Sequence, residues 1–366
     1  MQRLPGLDLL RAIAIVWVML FHSWMIGGVG APFQPVADYG WMGVDLFFVL
    51  SGYLIGYQLL EPLGRGEPLR LGGFYLRRAF RILPAFLAVL AVYLLFPAWR
   101  EAPGMQPAWQ FLTFTLNLLI DYQHNQAFSH AWSLCVEEHF YLLFPLLAWW
   151  LARRRSQALV IGSAVFVVAA GLLLRGHASL HDKSWLESIY YPTWTRLDGL
   201  LAGVLLATIQ AYRPDWWAAG QRRANALAGT GLLLVAAAIW LFRDKTGFNA
   251  SVFGFPLLAL GLSLLVAAGA GNTSWLGRWR LPGAGWIATV SYSLYLSHKL
   301  AIHAVHEALS RWPAVHGPAA FALYALAIAA TGALLHYGIE RPFLRLRTQL
   351  ARAGSRRLAE AQAASA

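Results

Sequence analysis

The sequence predicts an all-α, polytopic integral membrane protein of about ten transmembrane helices, with both termini in the cytoplasm. Three observations carry that prediction. Of 366 residues, 58% are hydrophobic and only 13% charged, where a soluble domain carries roughly 25% charged residues. Apolar runs of membrane-spanning length follow one another along almost the whole chain. Basic residues gather on alternate connections between those runs, which is the pattern that orients a helix bundle in a bilayer.

The runs place spans near residues 7–27, 41–60, 80–97, 131–151, 157–174, 193–210, 225–242, 252–269, 286–307 and 318–338. Residues 108–120 are apolar but short and suit a half-helix or interfacial segment. The connections read as cytoplasmic are rich in arginine, with Arg65, Arg70, Arg77, Arg78 and Arg81 in one and Arg153, Arg154 and Arg155 in the next. The opposite connections hold only six basic residues, Arg100, Arg175, Lys183, Arg243, Lys245 and Arg311, while Arg11, Arg196 and Lys299 fall inside spans. Met1–Arg3 and the following apolar run could imitate a secretory signal, but Arg11 interrupts its apolar core and many spans follow, so the first helix is expected to stay uncleaved. Residues 1–345 are read as one membrane domain and 346–366 as a cytoplasmic tail.

Composition also excludes several classes. The net charge of +12 is accounted for by the positive-inside pattern, and no basic-aromatic nucleic-acid motif accompanies it. The single cysteine, Cys135, permits no internal disulfide and no cysteine-based metal motif. No spacing such as H-E-x-x-H points to a metal.

The informative residues are polar ones placed where lipid is expected. Arg11 and His22 are separated by ten uncharged residues of the first span. At 3.6 residues per turn both fall on one helix face, about 16 Å apart along the axis. An Arg at mid-membrane costs about 2.5–3.5 kcal/mol unless it faces protein or water. The bland alternative is that each snorkels to its nearer headgroup layer. In the predicted topology His22, Asp45, Glu137, Arg196, Asp198 and His298 share one layer near the outer face. Several ionisable groups at one depth must pair or line a wet cavity. Ser133, Glu137 and Tyr141 fall at i, i+4 and i+8 on one face of the fourth helix. A histidine with a carboxylate partner can activate a hydroxyl. Asp45, Arg196, Asp198 and His298 read equally as structural ion pairs and helix–helix hydrogen bonds. At the inner face, Arg78 and Arg81 stand at i and i+3, where their planar forks can grip phosphate or simply anchor the helix.

These residues fall in segments that resemble the membrane-bound acyltransferase-3 family. Leu7–Ala14 with His22 is similar to its first-helix pattern, and Gly43-Val44-Asp45-Leu46-Phe47-Phe48-Val49-Leu50-Ser51-Gly52-Tyr53 to its second-helix signature. Arg78 and Arg81 match its paired arginines, and Trp132-Ser133-Leu134 through Glu137 and Tyr141 to Pro145 its fourth-helix block. Arg196-Leu197-Asp198-Gly199, Ser291–His298 and Ile339-Glu340-Arg341-Pro342-Phe343 resemble later blocks. His139 stands where the family commonly has Gln, and Ser297 and Lys299 flank His298 where aromatics are common.

The resemblance implies an enzyme of the bacterial cytoplasmic (inner) membrane. It would move an acyl group, most commonly acetyl, from cytoplasmic acyl-CoA to a hydroxyl of a glycan or lipid-linked saccharide at the outer side, without a metal. It implies His22 and Glu137 as catalytic residues; His22 would then act as general base on the acceptor hydroxyl, with Glu137 fixing its tautomer and stabilising the imidazolium. It assigns Arg11, Arg78 and Arg81 to the donor, and the remaining candidates, Asp45, Arg196, Asp198, Tyr295 and His298, are expected to hold the acceptor. An acyl-histidine relay is the alternative route. The rival class is a secondary transporter, because buried charges in a helix bundle also mark substrate or ion pathways.

Overall fold

The computed structural model describes residues 4–30, 32–182, 184–311 and 317–351. It is all-α, as the sequence predicts, and among the described residues the only β-type pairing is an isolated bridge between Met105 and Ala127. The longer helices are α1 (Pro5–Phe21), α2 (Met42–Gly64), α3 (Leu71–Leu95), α4 (Trp132–Arg154), α5 (Gln157–His181), α6 (Asp198–Tyr212), α7 (Ala224–Leu241), α8 (Phe255–Gly269), α9 (Ala284–Ser310) and α10 (Gly317–Leu335). Eight of the described helices are long and apolar enough to cross a membrane by length and composition. Of the other two predicted spans, α6 has only 15 residues. α9 has 27 residues, but His298, Lys299, His303, His306 and Glu307 dilute its apolar character.

Local chemistry sets several boundaries. Pro5 opens α1, where its missing N–H is no loss. α1 ends at Phe21 and gives way to a 3₁₀ turn over His22–Ile26, closed by Gly27 at φ 84°. Ser156 caps α5 by accepting from the Leu159 backbone N–H. The apolar stretch at 108–120 forms only a short helix, Ala108–Leu112, and a 3₁₀ turn, Leu116–Leu118. α10 passes through a π-turn, His336–Glu340, and helix continues to Ala351. The stretch 346–351, expected in the tail, is therefore helical, and residues 352–366 of that tail lie outside the described residues.

The chain folds as two compact units, one of Met1–Leu69 with Ala102–Thr289 and one of Arg70–Glu101 with Val290–Ala366. In the first, α2 and the segment Ala250–Gly269 are the interior helices, each with 72% of its most apolar window buried, whereas α5 has 6% buried and presents its sides outward. α2 and α6 approach until backbones touch. A Cβ on Gly52 would lie 2.1 Å from the Leu200 carbonyl oxygen, and one on Gly203 would lie 2.2 Å from that of Val49. Small residues permit this contact, which is how helices associate where no water drives them together. In the second unit the Tyr292 hydroxyl on α9 donates to the Ile82 carbonyl of α3 at 2.8 Å.

Arg175 corrects the sequence reading. The apolar run stops at Leu174, so Arg175 is expected in an extracytoplasmic connection; instead it lies inside α5 and is completely inaccessible. The helix continues because Asp198 neutralises the guanidinium through two hydrogen bonds, at 2.7 and 3.2 Å.

Candidate active site

α1 delivers His22 at its C-terminal end, half-buried. The imidazole Nδ1 lies 3.0 Å from the carbonyl oxygen of Val18. A carbonyl can only accept, so Nδ1 donates in this contact, and Nε2 is the nitrogen that can act as a base when the ring is neutral. The Val18 carbonyl of the same helix thus helps to orient the imidazole. The His22 ring packs on Phe21 and stands 6.4 Å from the ring of His130, edge-on.

His130 is buried in the 3₁₀ turn Ser129–Ala131 that runs directly into α4. His22 therefore sits beside the start of the helix that carries Glu137. Glu137 lies on the second turn of α4 and accepts from the Tyr141 hydroxyl at 2.8 Å, one helical turn on. Tyr141 has a single proton and spends it on the carboxylate. The Ser51 hydroxyl of α2, 2.5 Å from the Tyr141 oxygen, must then be the donor in that contact. The i, i+4, i+8 face of α4 thus becomes a chain from Ser51 through Tyr141 to Glu137. Ser133, the first member of that face, turns back to the His130 carbonyl at 3.4 Å. His130 was missed because nothing in its spacing from His22 marks a contact made in three dimensions.

The charged residues of the first unit pair in a way the sequence left open. Arg196 precedes α6 and donates through Nη2 to Asp45 Oδ1 on α2 at 2.7 Å. Asp198 opens α6 and takes Arg175 as its partner. Arg196 is enclosed by aromatic rings, with its guanidinium carbon 4.0 Å from the Phe255 centroid, 4.7 Å from Tyr190 and 5.5 Å from Trp132. Its Nε and Nη1, and Oδ2 of Asp45, have no hydrogen-bond partner among the described residues. Arg11 is half-buried on α1.

In the second unit Arg78 lies 5.8 Å from the Phe74 ring, and Arg81 stands 3.4 Å from Glu340. His298 is completely buried on α9 with Nδ1 2.7 Å from the Tyr295 carbonyl, so its Nε2 likewise bears the lone pair. The Tyr295 ring packs 5.8 Å from the His298 ring. Lys299 pairs with Glu101 at 3.6 Å, a partner the sequence reading did not identify.

Among the described residues no three His, Cys, Asp or Glu side chains gather as metal ligands. An open cleft of about 400 Å³ in the connection after α7, lined by Trp240, Arg243, Asp244, Phe248 and Asn249 among others, contains none of the candidate catalytic, donor or acceptor residues.

The chain is 28% identical over 329 residues to the protein named "Putative O-acetyltransferase SACOL0978" of Staphylococcus aureus (strain COL), covering 84% of this chain and 52% of that protein. It is 34% identical over 227 residues to O-acetyltransferase OatA of Staphylococcus aureus (strain NCTC 8325 / PS 47), covering 56% of this chain and 34% of that protein. The chain therefore spans about half the length, or less, of these curated relatives. No solved structure is a significant match. The family model described as an acyltransferase domain matches residues 4–337, and the chain belongs to this acyltransferase-3 family.

Proposed function

We propose that the chain is a membrane O-acetyltransferase that moves an acetyl group from cytoplasmic acetyl-CoA to a hydroxyl of a glycan or lipid-linked saccharide at the outer side of a bacterial inner membrane. Residues 1–345 carry the activity, and both termini are cytoplasmic. The observation that supports this most is His22 itself. Its Nδ1–H is tied to the Val18 carbonyl, its Nε2 is basic, and it lies beside the helix that bears Glu137.

In this reading Nε2 of His22 takes the proton of the acceptor hydroxyl as its oxygen attacks the thioester carbonyl. The carbon–sulfur bond then breaks, and the coenzyme A sulfur leaves with the proton held by the imidazolium. The Val18 contact orients the imidazole, and Glu137 completes that orientation and stabilises the charge the ring gains. Its negative charge, oriented by Tyr141 and Ser51, favours the imidazolium that forms during transfer. The guanidinium groups assigned to the donor phosphates are Arg11 of the first unit and Arg78 and Arg81 of the second. Asp45, Arg196, Asp198, Tyr295 and His298 are assigned to the acceptor. The unsatisfied Nε and Nη1 of Arg196 and Oδ2 of Asp45 support that assignment, since buried polar atoms without partners are uncommon.

The test is transfer of radiolabel from acetyl-CoA in inverted membrane vesicles, with insertion of each variant verified. His22→Ala and Glu137→Gln are each expected to lose transfer by roughly 10²–10⁴-fold. Undiminished transfer by both would overturn the assignment. Movement of intact labelled solute without release of free coenzyme A would favour a carrier.

A further inference from the structure

We propose that Glu340 is a positioning residue for the donor. It is a buried carboxylate that holds the Arg81 guanidinium in the orientation in which it meets the phosphates of an acyl-coenzyme A. The proposal deepens the reading of Arg81 as a donor-binding residue and rests on it.

Every group involved belongs to the second unit. Glu340 closes the π-turn His336–Glu340 and is completely inaccessible. Its Oε2 is held twice, by the Ser293 hydroxyl of α9 at 2.8 Å and by His336 Nδ1 at 2.8 Å. Two bonds to one oxygen from different directions fix the plane of the carboxylate. The other oxygen, Oε1, faces Arg81 Nη1 at 3.4 Å and makes no hydrogen bond. That separation exceeds the 2.7–2.9 Å of a charge-assisted hydrogen bond.

Arg81 is therefore steered by the charge without being consumed by it. Its side chain is 33% exposed, and a guanidinium has five N–H donors, of which this contact engages one weakly. The backbone beside it is also restrained, because Tyr292 bonds the carbonyl of Ile82, the next residue of α3. Arg81 is the permanently charged neighbour of this buried carboxylate, beside a His336 that is a cation only when protonated, so its place is favoured before any ligand arrives. A side chain already immobilised loses less freedom on binding phosphate.

The experiment is the dissociation constant of coenzyme A for the full chain in nanodiscs, measured for wild type, Arg81→Ala, Glu340→Gln and the double variant. Pantetheine, which has the arm and no phosphates, is the control probe. Glu340→Gln is expected to weaken coenzyme A by roughly three- to tenfold, the effect of freeing one ordered side chain. Pantetheine binding should be unchanged, and the double variant should be no weaker than Arg81→Ala. Ser293→Ala keeps the charge but loosens the carboxylate, and is expected to weaken coenzyme A in the same direction by less; it carries the test if Glu340→Gln fails to fold. An Arg81→Ala effect with none in Glu340→Gln, a tighter complex in Glu340→Gln, or equal losses with pantetheine would overturn the inference alone. No effect of Arg81→Ala would overturn the donor reading and the inference with it.

Discussion

Arg196 and Asp45 meet at 2.7 Å across 151 positions of sequence, with neither side chain more than 8% exposed. The pair fastens the segment before α6 to α2, the interior helix of its unit. Breaking such a pair leaves an uncompensated buried charge, which costs about 3–5 kcal/mol, whereas replacing both partners by apolar groups is often neutral. Asp45→Leu and Arg196→Met are each expected to lower the melting temperature of the purified protein sharply. The double variant should recover most of that loss while remaining inactive in acetyl transfer. Additive losses in the double variant would refute the pairing.

The Tyr141–Glu137 bond bears on chemistry more than on stability. Tyr141→Phe removes the proton donated to the carboxylate and keeps the ring. A hydrogen bond to a charged group contributes about 1.5–3 kcal/mol. Transfer from labelled acetyl-CoA is expected to fall about 10- to 100-fold, with little change in melting temperature. Ser51→Ala, one step further from Glu137, should lose less. Equal activity of Tyr141→Phe and wild type would remove Glu137's orientation from the mechanism.

The sequence displays its helices because most spans are long, apolar and local, so hydropathy alone locates them, while α6 is short and α9 is diluted by polar residues. Partners were not legible for the opposite reason. Asp45 and Arg196, or Arg81 and Glu340, lie in different helices, and no local pattern encodes their meeting. Arg175 was misplaced by the same logic, since an arginine at the end of an apolar run reads as a loop residue until Asp198 is seen beside it. The Val18 carbonyl that meets His22 Nδ1 has no side-chain signature at all. Arg11, His22, Glu137 and the Arg78–Arg81 pair stood out because ionisable groups in or beside lipid are costly unless they face protein or water.

Lys245 lies in the connection after α7, half-buried, with Nζ 3.1 Å from the Asp38 carbonyl. Burial lowers its pKa below the ordinary lysine value of 10.5, and the charge of Asp38 opposes that shift. A lowered pKa enlarges the neutral, nucleophilic fraction at a given alkaline pH. Labelling of Lys245 by an amine-reactive ester, followed by mass spectrometry, is expected to reach half-maximum below pH 10.5. Asp38→Asn removes the opposing charge and should move that midpoint lower still. By linkage, the folded state gains stability relative to the unfolded chain as pH rises through the folded pKa towards the unfolded one. A labelling midpoint at or above the ordinary value would contradict the burial.

The contact of α2 with α6 separates glycines that are needed from glycines that are not. At Gly203 a Cβ would lie 2.2 Å from the Val49 carbonyl oxygen and 2.5 Å from the Tyr53 amide nitrogen, both backbone atoms that cannot turn aside. Gly203→Ala must therefore push α6 away from α2, and with it Asp198 at the start of α6 and Arg196 just before it. Overpacking of this kind costs about 1–3 kcal/mol or more, and the displaced ion pairs should reduce acetyl transfer as well. Gly162 lies in α5 with nothing within 4 Å of the same position. There the substitution removes only glycine's backbone freedom, so Gly162→Ala is expected to stabilise by about 0.8–1.0 kcal/mol. Thermal unfolding of the two variants in the same detergent should move in opposite directions. If Gly203→Ala were as stable and as active as wild type, the close approach of α2 and α6 would be wrong, and the placement of Arg196 against Asp45 would fall with it.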